Sequence, residues 1–307
     1  MTIDLARLES SLTSTRLVRD YHFASGSPDS LLAAVHAITP QLSPSEAIAL
    51  VHQGAVYING IRAIEDLELT FPCSVEVFLP KANHRANLPL LDWDDSQVIF
   101  EDRELLVVFK PTGLPCLPTR DQQSINLKVM LERYVGAPVH MPSRLDTATS
   151  GLVVTSKAAE FHRAVQHSFE LKGVTKSYLL EVSPKVSWSE ISTRNSIGRD
   201  RRHQILRKVV ESGGREAQTH FTLLEQRLES SLLCARPQTG RTHQIRVHSQ
   251  FLGHSIIGDN FYAGIEADSL HLFANQISLN HPRTNEFMTF MVPQGMWPEW
   301  AMKRKDQ

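Results

Sequence analysis

A lone carboxylate, Asp146, stands in "SRLDTATSGLVV" (143–154) between an arginine and a run of small hydroxyl residues, directly before an apolar strand. Two readings fit that spacing. In the ordinary one the side chain caps backbone NH groups of a polar turn. In the chemical one it is a nucleophile or base, and a guanidinium close by has to favour its charged form. Three further segments could supply companions. "KSYLLEV" (176–182) carries Tyr178, which alone reads as a strand tyrosine with its ring in the core. "TGRTHQIRVHSQFLGHSIIGDNFY" (239–262) carries Arg241 and the histidines at 243, 248 and 254. No carboxylate or cysteine shares the spacing of those histidines, so no metal is expected. "RNSIGRDRRHQILRK" (194–208) sets Arg194, Arg199, Arg201, Arg202, Arg207 and Lys208 against Asp200 alone, a run that by itself reads as a solvated hairpin or helix face.

The elements that must position these residues can be read coarsely. Strand-like runs ("GLVVTS", "KSYLLEVS", "THFTLLEQ", "SLLCARPQ") alternate with helix-like stretches at 126–134, 158–171 and 242–252. This ordering predicts an α+β fold over residues 98–307, a mixed and largely antiparallel sheet with flanking helices. Upstream, "LLAAVHAI" and "SPSEAIALVHQG" repeat apolar residues at helical spacing, with Ser43 as N-cap, Pro44 at the first helical position and Gly54 as the stop. The Asn59-Gly60 pair between β-prone runs is a hairpin signal, and "SVEVFLP" alternates as a strand. Residues 1–85 thus form a small α/β domain of their own. The polar, proline-containing stretch around 86–97 reads as a linker.

With 307 residues, 41% hydrophobic and 21% charged, the chain can bury two cores. No apolar run has the length a membrane helix needs, and the first 30 residues lack the order of a signal peptide, so a cytoplasmic protein is expected. The three scattered cysteines suggest neither disulfides nor zinc. Net charge is −1, and residues 1–85 hold 6 Lys/Arg against 9 Asp/Glu. A nucleic-acid ligand would therefore depend on local basic patches.

Taken together, "EDRELLVVFKPTGLP" (101–115), the Asp146 segment, "KSYLLEV" and the 239–262 segment resemble the RluA-type pseudouridine synthases, in family order. Weaker matches are "GREAQTHF" (214–221) and "LHLFANQISLNHPRT" (270–284). The family pattern usually begins its core segment with histidine where this chain has Ser143. The resemblance implies isomerisation of uridine to pseudouridine in ribosomal or transfer RNA, without cofactor or metal, by a protein expected to be monomeric. It implies Asp146 as the catalytic group, Arg241 as its ion-pair partner and Tyr178 stacking on a flipped uracil. Arg144 is expected to intrude where the uridine was stacked, which helps to offset the few kcal/mol that extruding a base costs. Arg199, Arg201, Arg202, Arg207 and Lys208 become candidates for phosphate contacts. The helix pair and "G-x-V-x-I-N-G" of the first domain resemble an S-four-like RNA-binding domain, although its RNA-facing helix offers Ser45, Glu46, His52 and Gln53 in place of lysines.

Two rival classes fit less of the chain. "LDTA" is similar to the Leu-Asp-Thr-Gly loop of aspartic proteases, but Ala148 replaces the glycine and no second copy exists. A non-catalytic RNA-binding protein on the same fold has no need to retain Asp146, Tyr178 and Arg241 together.

Overall fold

The computed structural model describes residues 15–22, 27–52, 54–63, 65–79, 93–117, 126–171, 173–201 and 205–302. It divides into two compact units, one from the described residues of 6–94 and 114–139, the other from those of 95–113 and 140–307.

The first unit contains β1 (Thr15–Tyr21), α1 (Leu31–Ile38), α2 (Pro44–His52), β2 (Val56–Ile58), β3 (Ile61–Ala63), β4 (Cys73–Leu79) and α3 (Leu127–Val135). Its sheet runs β1-β4-β2-β3, antiparallel throughout. Ser43 starts α2 as the sequence predicts. Its Oγ accepts from the Glu46 N–H at 3.3 Å, while Glu46 Oε2 accepts from the Ser43 N–H at 2.8 Å, a reciprocal pair that satisfies two otherwise orphaned donors. Asn59 and Gly60 join β2 to β3 with φ of 50° and 78°, the positive pair a tight hairpin turn demands. The core is Leu31, Val35, Leu50, Val51, Val56, Val75 and Val77. Two features depart from the sequence reading. The charged "TRLVRDY" forms β1 because β4 pairs with it along its whole length. Residues 114–139, expected in the second domain, pack with this unit, where Arg62 donates to Glu132 of α3 at 3.2 Å.

The second unit is built from β5 (Val98–Glu101), β6 (Leu105–Lys110), β7 (Ser150–Ser156), α4 (Ala159–Glu170), β8 (Thr175–Ser183), β9 (Glu190–Arg194), β10 (Ile197–Arg199), β11 (Arg207–Val209), β12 (Gln218–Gln226), β13 (Ser231–Pro237), α5 (Gln244–Phe251), β14 (Ser255–Ile256), β15 (Leu272–Asn280) and β16 (Phe287–Met291). Its large sheet follows the order β5-β6-β7-β15-β8-β13-β12-β9, with β14 on β8 and β16 on β15. Only β7 and β15 run parallel among the described pairs, so the fold is the α+β, largely antiparallel arrangement the sequence predicts. Strand period decides what each face holds. Leu179 of β8 packs with Leu152, Val154, Phe273 and Val165 of α4. Its neighbours Tyr178, Leu180 and Val182 pack with Leu272, Ala274 and Ile245 of α5. Complete burial of Leu180 and Phe273 contributes about 1.5–3 kcal/mol each. Tyr178 and α5 therefore share one face.

Gly151 lets the Asp146 loop enter this sheet. Its φ is 120°, and a Cβ there would lie 2.2 Å from the Ala274 carbonyl oxygen. Ala274 is the register partner of both Gly151 and Tyr178, so the start of β7 lines up with Tyr178 across one intervening strand.

Candidate active site

Asp146 is held by its own loop and by the "KPTG" turn after β6. Thr149 N–H donates to the main-chain oxygen of Asp146 at 3.0 Å. The fully buried Lys110 Nζ donates to Thr147 O at 3.1 Å, Gly113 N–H to the same oxygen at 2.9 Å, and Thr112 Oγ1 to Ala148 O at 2.8 Å. Lys110 and its turn are thus scaffold for this loop. The carboxylate itself does not cap the turn. Asp146 Oδ2 faces Arg246 at 3.3 Å and His243 Nε2 at 3.9 Å, with the side chain 26% exposed.

The arginine is not the expected one. Arg241 lies in the turn before α5, where its Nε donates to Glu216 O at 2.9 Å and its N–H to Gln244 Oε1 at 3.0 Å. Neither bond reaches Asp146. Five residues later Arg246 projects from the buried side of α5, and Asp259 takes its Nε and one terminal nitrogen at 2.8 and 2.7 Å. The remaining nitrogen meets Asp146. The guanidinium carbon sits 5.0 and 5.1 Å from the ring centres of Phe261 and Tyr262, within range of a cation–π attraction. Burial disfavours the charge on Arg246, but the Asp259 bonds and the two carboxylate charges outweigh burial and push its pKa up. A sequence signal for this pair existed: Arg246 is flanked by Ile245 and Val247 on a helix, and Asp259 belongs to the "GD" turn of the same segment.

His243 also went unassigned in the sequence. It stands at the N-terminus of α5 with φ 58°, a region that costs a non-glycine residue and persists where surroundings enforce it. Its Nδ1 lies 2.7 Å from Tyr262 Oη, and Tyr262 Oη accepts from the Arg207 N–H at 3.0 Å. Burial pushes the imidazole down to about 4, against the upward pull of Asp146. The other two histidines are structural. His248 bridges Thr219 Oγ1 and Asn195 O, and His254 Nδ1 meets Pro184 O.

Tyr178 is nearly buried in the apolar cluster that also receives Leu145 and Ala148, the neighbours of Asp146. Arg144 is exposed. The basic run forms the β10–β11 hairpin, with Arg199 opposite Arg207. Arg199, Arg201 and Lys208 are exposed, while Arg202 lies outside the described residues. One terminal nitrogen of Arg207 donates to Ile205 O and Leu206 O at 2.8 and 3.0 Å and braces the turn that leads into β11.

Away from this site, Asp102, Glu104 and His281 bring ligand-type atoms within 4.8 Å of one another. His281 Nδ1 accepts from the N–H groups of Arg283 and Thr284, so Nε2 keeps its proton and donates to Asp102 at 2.9 Å. The cluster fastens the β5–β6 turn to the β15–β16 turn. That accounts for "ED" and "NHPR" as structural segments. No helix among the described residues is long and apolar enough to cross a membrane.

Comparison with known proteins identifies the family. Residues 104–251 match the family described as RNA pseudouridylate synthase. An uncharacterised RNA pseudouridine synthase of Bacillus subtilis, YhcT, is 31% identical over 228 residues, covering 71% of this chain and 74% of the relative. The dual-specificity RNA pseudouridine synthase RluA of Vibrio cholerae is 32% identical, covering 69% of this chain and 88% of its own length. RluA of Escherichia coli K12 is 31% identical over 64% of this chain and 92% of its own. Among solved structures, human RNA pseudouridylate synthase domain containing 1 shares the fold with a TM-score of 0.56 at 23% identity, over 68% of this chain and 88% of that one. The chain therefore belongs to the RluA-type RNA pseudouridine synthases, a family of isomerases.

Proposed function

We propose that the protein isomerises specific uridines in structured ribosomal or transfer RNA, in the cytoplasm, with Asp146 as the essential catalytic group and the target base flipped out. The observation that carries this reading is a part-exposed carboxylate opposed by a buried guanidinium whose other donors are already committed to Asp259. In the reaction the N1–C1′ bond breaks, the uracil turns, a C5–C1′ bond forms, the C5 proton leaves and N1 gains a proton. No cofactor is consumed. An ionised Asp146 can start it by attack on the anomeric carbon, by addition to the uracil ring, or by removing the 2′ proton. All three need water kept out. Tyr178 supplies a ring face for the uracil and a hydroxyl for the C5 proton. Arg144 fills the gap the base leaves, and Arg199, Arg201, Arg202 and Lys208 contact phosphates. Asp146 pairs with Arg246 in the part first given to Arg241.

The first unit, with its helix pair and β2–β3 hairpin, acts as an S-four-like RNA-binding module. Its acidic balance, 6 basic against 9 acidic residues over 1–85, assigns it a supporting role.

The test is Asp146→Asn, which keeps size and removes charge and basicity. RNA affinity is expected to stay within about tenfold, or about 1.4 kcal/mol. Release of tritium from C5-labelled uridine in RNA is expected to fall by roughly 10³-fold or more. Release at the parental rate by the folded variant refutes the assignment.

A further inference from the structure

The β10–β11 hairpin and Asp146 are joined by a chain of polar groups that the reaction as described does not use. It runs from the Arg207 N–H to Tyr262 Oη, from Tyr262 to His243 Nδ1, and from His243 Nε2 to Asp146 Oδ2, at 3.0, 2.7 and 3.9 Å. Two independent considerations favour one set of proton positions, although the His243–Asp146 contact is longer than a hydrogen bond. Asp146 Oδ2 is an acceptor, so a bare Nε2 would set lone pair against lone pair, and the favoured tautomer carries hydrogen on Nε2. Tyr262 Oη already accepts from Arg207, and its one proton is then free to be donated to Nδ1. Each end of the imidazole thereby favours the same tautomer.

The surroundings keep this imidazole neutral. It is buried, with Asp146 on one side, the Tyr262 and Phe261 rings on others, and Arg246, Asp259 and Arg207 as the remaining charges near it. A neutral N–H directs a dipole at the carboxylate without adding a second cation to Arg246. The left-handed backbone at His243 places the ring between Tyr262 and the Asp146 loop.

We infer that His243 is a positioning residue for Asp146, that Tyr262 holds it as the tautomer with hydrogen on Nε2, and that the Tyr262–His243 pair ties the placement of the carboxylate to the RNA-facing hairpin. This rests on Asp146 being the catalytic group. Tyr262→Phe keeps the ring beside Arg246 and removes only the hydroxyl. In single-turnover tritium release its rate is expected to fall roughly 10- to 30-fold, with RNA affinity changed less than about twofold, an effect of about 1.4–2 kcal/mol on the barrier. Nitrogen-15 spectra of histidine-labelled protein are expected to show His243 as the Nε2–H tautomer in the parent and as a mixture in Tyr262→Phe. His243→Ala should lose rate to the same degree. His243→Gln, which can still present an N–H, should recover most of the rate and no longer respond to Tyr262→Phe.

A role confined to stability would lower the melting temperature and leave the tautomer unmixed. Parental rate in Tyr262→Phe, or an Nδ1–H tautomer in the parent, overturns the inference. Measuring Asp146→Asn in the same assay separates the two proposals. If that variant is inactive while Tyr262→Phe is fully active, only the relay fails; if that variant is active, the catalytic assignment fails first.

Discussion

Among the described residues of the second unit two arginines are buried, and their surroundings separate a structural ion pair from a candidate site. Arg227 is saturated. Its donors go to Glu181 and Trp300 O at 2.9 Å, Met302 O at 3.0 Å and Glu225 at 3.1 Å. Glu181, 6% exposed in its side chain, also accepts from Ser230 and His271 at 2.6 and 3.0 Å. Around Arg246 only Asp259 is saturated. Asp146 meets the guanidinium at one longer contact through Oδ2, and among the described residues no hydrogen bond reaches Oδ1. Equal burial of the cation thus supports opposite ends: beside Arg227 the Glu181 carboxylate accepts from three donors on its two oxygens, whereas beside Arg246 Asp146 has one oxygen that no protein donor reaches among the described residues.

The comparison is broken most sharply by exchanging each arginine for lysine, which keeps a charge but cannot fork. Arg246→Lys should lose tritium-release activity by roughly 100-fold or more, because a point charge cannot hold Asp259 in two bonds and still face Asp146. Arg227→Lys should melt earlier and keep its rate once folded. Similar rates in the two folded variants would erase the distinction.

A smaller effect is expected in acid. Burial raises the Glu181 pKa, but the bonds from His271, Ser230 and Arg227 outweigh it and bring the carboxyl to about 2, below its ordinary value of 4.5. A depressed folded-state value means a stabilising contribution that is present above about pH 4.5 and is lost as pH falls toward 2. In Glu181→Gln the slope of stability against pH across that window should flatten, as read by urea midpoints. An unchanged slope would deny Glu181 its structural role.

The smallest effect concerns the exposed charges. Replacing Arg199, Arg201 and Lys208 by Gln should weaken RNA binding across sequences and lower its salt slope by about 0.7–0.9 per lost phosphate contact. Filter binding at several salt concentrations reads both. A parental slope would return the hairpin to mere solvated surface.

Local chemistry was legible where one short stretch decides the outcome. The Ser43 cap, the Asn59-Gly60 turn and the helices near 126, 158 and 242 follow from residues within a turn of each other. Asp146 and Tyr178 were legible as members of a pattern. That Arg246, and not Arg241, faces Asp146 was not, because it depends on Arg246 lying on α5 while Arg241 precedes it, and on an acid 13 residues away. The hairpin shows the same limit. Its charge was plain from composition, but only the fold reveals that Arg207 bonds the main chain just before its strand while Arg199, Arg201 and Lys208 are exposed. Likewise β1 exists because β4 offers it a full-length edge, a long-range fact that its charged sequence conceals.

The double hold of Asp259 on Arg246 has an electrostatic consequence for how a polyanion meets this surface. Two carboxylates and one guanidinium, with His243 neutral, leave the trio one negative charge in excess. An approaching phosphate backbone is repelled by that excess at short range, where low-dielectric walls screen it least. On the proposed reading, the cations of the β10–β11 hairpin have a second task beyond affinity: they counter the field of this carboxylate. When Asp146 gives up its charge, in a covalent bond or to a proton, the negative charge passes to the uracil, so the excess stays in the site throughout the proposed reaction.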